Sequence, residues 1–183
     1  MTALPAVDPA TAQPEAAEAL AMAQAAFGSV PNLTRVMANS PATLRGYLEL
    51  AGALEKGLLA PAVRERIALL VAEQNGCGYC LSAHSYVAER LLRLPADEIA
   101  AAREGESADP RIRALLQLAS AINGGRGHVA DAVVEAARDA AVSDGEIAEV
   151  IGHVAANAFS NYFAKAARVE VDFPPVAPRG SVA

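Results

Sequence analysis

Four prolines, at positions 14, 41, 61 and 110, each stand at the head of an alanine-rich run, and this punctuation sets the fold class. Proline has no N–H and a φ fixed near the helical value, so it suits the first position of a helix and disrupts the interior. Ser40 before Pro41 and Asp109 before Pro110 are capping residues, whose side-chain oxygens accept from unpaired N–H groups of the first turn. Gly28, Gly57, Asn75-Gly76 and Gly105 are residue types that close helices. The pattern predicts helices from Pro14 to Phe27, Asn32 to Met37, Pro41 to about Glu55, and Pro61 to about Gln74. It continues with helices from Cys77 through Leu92, about Ala96 to Gly105, Pro110 to Ile122, Asp131 to about Ala141, and Glu146 to about Ala167. Ser143 and Glu146 have the spacing of a capping box ahead of the last of these. Strand-like alternation occurs nowhere at any length, so the expected fold class is all-α.

Hydrophobic residues make up 53% of the 183 residues but aromatics only 4%. Much of the apolar content is alanine, a strong helix former and a poor space filler, which implies closely packed helices. The length fits one buried core: a single helical domain over residues 14–170, a flexible N-terminus over 1–13 and an irregular C-terminal tail over 171–183. A mean hydropathy of +0.23 implies apolar surface covered by further copies of the chain, hence a homo-oligomer. The net charge of −6, with no basic cluster, argues against nucleic acid or an anionic membrane as a partner. No apolar run approaches the roughly 18 residues needed to span a bilayer and no leader pattern precedes Pro14, so a cytoplasmic location is expected.

Both cysteines of the chain, Cys77 and Cys80, fall three residues apart at the start of one predicted helix, with His84 one turn further on. In a reducing compartment such a pair points to redox cycling or metal binding rather than to a permanent disulfide. On a helix the three residues share one face with Ala88 and Leu91, which makes that face the inward one. Unpaired N–H groups and the positive end of the helix dipole favour thiolate there. Cys77, at the cap, feels this most, whereas Cys80 has His84 at i+4 to take its proton; position alone leaves open which sulfur attacks. Attack on a peroxide oxygen gives a sulfenic acid, which the second thiol condenses to a disulfide with loss of water.

Glu65 and Glu73 lie two turns apart on the preceding helix, on the same side as Leu69, and the tight Asn75-Gly76 turn folds that helix back beside the cysteines. Either carboxylate could orient His84. A different chemistry for the same residues is a zinc site of Cys77, Cys80, His84 and a carboxylate. His153, amid the apolar residues of the last helix, reads as a core or interface histidine, and His128 as a helix-start residue. Gly124-Gly125-Arg126-Gly127 lacks the Lys-Ser/Thr and the preceding strand of a phosphate loop.

Glu65, followed by Cys77-Gly-Tyr-Cys80 and His84, with Asn75-Gly76 ahead of the first cysteine, resembles the alkylhydroperoxidase D-like (AhpD-like) branch of the carboxymuconolactone decarboxylase superfamily. The similarity continues through Arg126-Gly127-His128, Ser143 to Ile147, Asn161-Tyr162 and Val171 to Pro174, and so covers the chain from about Pro31 onward. The resemblance implies an all-helical fold built on a helical hairpin, assembled as trimers or hexamers. It implies a peroxidase that reduces hydroperoxides through the dithiol, with Cys80 attacking, Cys77 resolving, and Glu65 and His84 as the proton relay. It implies no haem, metal or other bound cofactor, and a dithiol reductant such as a protein-bound lipoyl group. Where the alkylhydroperoxidase has a histidine before its second cysteine, this chain has Tyr79, a further possible relay member that does not titrate near neutral pH. The decarboxylases of the superfamily lack the dithiol, so Cys77 and Cys80 count against lactone decarboxylation.

Overall fold

The computed structural model describes residues 3–180, and among them every regular element is helical. The order is α1 (Pro14–Phe27), α2 (Asn32–Met37), α3 (Pro41–Leu54), α4 (Pro61–Gln74), α5 (Gly78–Tyr86), α6 (Ala96–Arg103), α7 (Pro110–Gly124), α8 (Asp131–Asp139) and α9 (Asp144–Ala166). Proline opens α1, α3, α4 and α7 as the pattern predicts. Ser40 caps Thr43 N–H, and Asp109 caps the N–H groups of Arg111 and Ile112. At α9 the Ser143 hydroxyl accepts from Glu146 N–H while the Glu146 carboxylate accepts from Ser143 N–H, closing the capping box.

α4 is the axis of the molecule, packing on α5, α6, α7 and α9. Consequently it is covered almost all round, with Arg66 through Ala72 buried, rather than apolar on one side only. Leu69, which shares a side with the two glutamates, has no exposure. In α9 the expected core positions Val150 and Val154 are buried, but Ile151 and Phe159 are 51% and 41% exposed. Those two, with Tyr162, form an apolar stripe on the outside of the chain.

The expected helix from Cys77 to Leu92 is α5 followed by a wider π-helical turn over Val87–Leu91. An extra residue in that turn shifts the register of the residues beyond it. Ala88 therefore stays on the buried face while Leu91 turns out and is 64% exposed, which corrects its expected place on the thiol face.

The described parts of both terminal segments lie along the helical body. Within the N-terminal segment, expected to be flexible, Ala3 N–H donates to the Ala167 carbonyl, Val7 N–H to the Arg35 carbonyl, and the Asn39 side chain to the Pro5 carbonyl. Residues 171–180 have no helix, as their prolines require, and run across α5 and α6 as a strap. Val176 N–H donates to the Ser82 hydroxyl, Arg179 N–H to Glu73, and Phe173 packs edge-on against Tyr79. Residues 1, 2 and 181–183 of these terminal segments lie outside the described residues.

Candidate active site

The hairpin of α4 and α5 is closed by Asn75-Gly76. Gly76 has φ of 61°, a left-handed conformation that costs other residues energy, and lets Cys77 N–H reach back to the Ala72 carbonyl. Lys165 of α9 clamps the turn by donating to the Asn75 carbonyl at 2.5 Å. Cys77 is thereby placed at the cap of α5, and its Sγ accepts from Cys80 N–H at 3.2 Å.

The two sulfurs are 2.6 Å apart, unbridged and nearly covered, Cys77 at 1% and Cys80 at 3% exposure. Their contact pushes the two thiols in opposite directions. Cys77 is lowered, chiefly because Cys80 S–H donates to it; burial opposes this, while the cap N–H, His84 and Lys165 add to it. Cys80 is raised, because its proton is held by Cys77 and because it is buried; side chains of Asn161 and Ser160 on α9 act the other way.

Across the hairpin, His84 Nδ1 meets Glu65 Oε1 at 2.7 Å, with the two side chains 26% and 13% exposed. Burial alone would lower the pKa of His84, but the Glu65 carboxylate more than reverses this, with Cys77 and Asn157 of α9 acting the same way, so the imidazole is held above its usual value. Residues 65, 77, 80 and 84 are thus brought together by one hairpin.

Glu73 is not part of this group. It is bonded instead to Arg103 of α6 at 2.7 Å and to Arg179 N–H at 2.6 Å. A separation of eight residues turns a helix by about 80° beyond two full turns, enough to give the two glutamates different neighbours. Tyr79 is equally committed elsewhere: its hydroxyl donates to Asp172 at 2.8 Å and accepts from Leu33 N–H at 3.1 Å. Burial and Asp172 raise its pKa, so it stays protonated and ties α2 and the C-terminal strap to α5.

Several neighbours of the site are not evident from sequence spacing. Tyr47 of α3 is close enough to Cys80 and Glu65 for both to act on its hydroxyl; burial and these charges raise its pKa, and its ring stacks on Phe159 at 6.0 Å. Asn157, Ser160 and Asn161 are polar residues on the inward side of a largely apolar helix; that misfit is a signal the sequence carries, and Asn161 also falls within the family resemblance. Among the described residues no three His, Cys, Asp or Glu side chains converge closely enough to hold a metal ion. A cavity of about 620 Å³ lies against α1 and the start of α3, away from the thiols.

The sequence profile of the carboxymuconolactone decarboxylase family matches residues 41–108 and 91–170, which include the whole hairpin. The chain belongs to this family. Its fold is that of an AhpD core: a peroxidase-related protein from Ralstonia eutropha JMP134, described as having that core, superposes with a TM-score of 0.81 at 24% identity, covering 93% of this chain and 92% of the other. A peroxidase-related protein from Silicibacter sp. TM1040 gives 0.77 at 23% identity, covering 98% and 95%. A debrominase solved with 2,3,4-tribromopyrrole gives 0.79 at 19% identity, covering 94% and 92%. At these identities the likeness establishes the scaffold. Among curated proteins none matches the sequence. No helix among the described residues is long and apolar enough to cross a membrane.

Proposed function

We propose that this member of the family is a thiol-dependent hydroperoxide reductase. The observation that carries the reading is a near-contact dithiol at a helix cap with a His84–Glu65 ion pair folded beside it. Attack by Cys80 begins with its proton passing across 2.6 Å to Cys77, leaving thiolate on Cys80 and thiol on Cys77. The Cys80 sulfur takes the outer oxygen of ROOH, the O–O bond breaks, and the leaving alkoxide takes a proton from His84, giving a sulfenic acid and ROH. Neutral His84 then accepts the Cys77 proton. The Cys77 thiolate attacks Cys80 Sγ, the S–O bond breaks, and hydroxide leaves as water with the proton from His84. A dithiol reductant restores the pair and becomes a disulfide itself. Glu65 holds the imidazole in place and favours its charged form.

The cover over both sulfurs fits a small or slender hydroperoxide and a narrow reductant such as a lipoyl arm. The exposed stripe of Ile151, Phe159 and Tyr162 supports assembly with further copies of the chain; the assembly proposed is a trimer or hexamer. The test is turnover with dihydrolipoamide and cumene hydroperoxide, followed as loss of peroxide, with a brominated pyrrole run alongside. Peroxide consumption that disappears in Cys80→Ser supports the reading. Bromide release without peroxide consumption would replace it with reductive dehalogenation by the same dithiol. A zinc site in place of the redox pair predicts near-stoichiometric metal and thiols shielded from alkylation.

A further inference from the structure

Asn161 is fully buried, and half of its side chain has no partner. Its Oδ1 accepts from Asn75 Nδ2 at 3.0 Å. A chain of amides behind it matches this orientation: Asn123 Nδ2 donates to Asn75 Oδ1 at 3.1 Å and to Gln74 Oε1 at 2.9 Å, and Gln74 Nε2 donates to Ser120 at 2.6 Å. Reversing Asn161 would set two NH2 groups against each other, so its Nδ2 is held on the side away from Asn75. That Nδ2 makes no hydrogen bond.

An unmade bond on a buried amide costs about 1–3 kcal/mol, and a group left so in a folded protein calls for an account. Cys80 supplies one. α9, which carries Asn161, packs on α5, and Asn161 acts on the Cys80 sulfur in the direction that favours the thiolate. While Cys80 carries its proton, its sulfur is a weak acceptor. Once that proton has moved, the sulfur is an anion, and a donor already fixed in place gains a charge-assisted bond without reorganising.

We propose that Asn161 Nδ2 is the hydrogen-bond donor to the Cys80 thiolate, the group that lets negative charge reside on the second sulfur rather than on the better-capped first one. The amide chain through Asn75 makes the turn before Cys77 part of the same device: the loop that caps one cysteine also aims the donor at the other. The proposal rests on the reading of Cys80 as the attacking sulfur.

The test measures thiolate formation without peroxide, so a failure of the peroxidase reading shows separately. In the Cys77→Ser protein, the rate of Cys80 alkylation by iodoacetamide is followed against pH, with and without Asn161→Ala or the near-isosteric Asn161→Leu. Loss of the donor is expected to move the titration midpoint upward by about one pH unit and to slow alkylation about tenfold below it. Because either variant could disturb the core, the Asn161 side-chain amide is also followed by 15N NMR in the Cys77→Ser protein itself. Its resonances are expected to move with the midpoint of Cys80 ionisation. Folded variants with an unchanged midpoint, or amide resonances that stay flat through the titration, would overturn the proposal.

Discussion

His84 Nδ1 and Glu65 Oε1 stand 2.7 Å apart across the α4–α5 hairpin, joining residues nineteen positions apart beside the two thiols. Removing the carboxylate leaves burial as the dominant influence on the imidazole, so Glu65→Gln should bring the His84 pKa down. In the proposed mechanism His84 acts as the acid, so the peroxide rate of the parent protein falls as pH rises through its raised pKa. In Glu65→Gln that falling limb should move to lower pH, with a rate near pH 7 reduced about 10- to 100-fold. Stopped-flow pH profiles check the kinetics, and NMR titration of the His84 ring checks the assignment.

The same pair has a stability signature. His84 has a folded pKa above its unfolded value of about 6.5, so its stabilising contribution is complete below that value and is lost as pH rises through the higher folded one. The difference in unfolding free energy between the parent and Glu65→Gln, measured with urea, should therefore shrink as pH is raised from about 6 through that range. A difference independent of pH would mean that His84 is not charged in the folded protein.

Tyr79 and Glu73 are expected to matter to architecture rather than to chemistry. Tyr79→Phe strips Leu33 N–H and Asp172 of a shared partner and should cost about 1–3 kcal/mol of stability while leaving the peroxide rate within about twofold. Glu73→Gln weakens the hold on Arg103 and Arg179, and should show first as faster proteolysis of residues 171–180. Urea titration, limited proteolysis and the peroxide assay on the same preparations separate the two kinds of effect.

The helices were legible in the sequence because their signals are local. Pro41 beside Ser40, Pro110 beside Asp109 and the Ser143–Glu146 box each act within one turn, and the structure has each cap where the residues put it. The hairpin was legible for the same reason, since one tight turn sets Glu65 against His84. Partners supplied from far along the chain could not be read in this way. Glu73 is settled by Arg103, thirty residues on, and Tyr79 by Asp172, ninety-three residues on. The proton balance of the dithiol depends on Ser160 and Asn161, whose helix passes the cysteines only in the folded molecule. The π-helical turn after Tyr86 also escaped, because its five residues are ordinary helix formers with no glycine or proline to mark it.

The most direct test of the dithiol cycle is the intact mass of the reduced protein before and after a brief stoichiometric pulse of an organic hydroperoxide, with Cys77→Ser and Cys80→Ser in parallel. The account predicts loss of two hydrogens in the parent, one added oxygen retained in Cys77→Ser, and no change in Cys80→Ser. An unchanged parent mass would contradict the peroxidase reading, and an oxygen trapped in Cys80→Ser instead would reverse the roles of the two sulfurs.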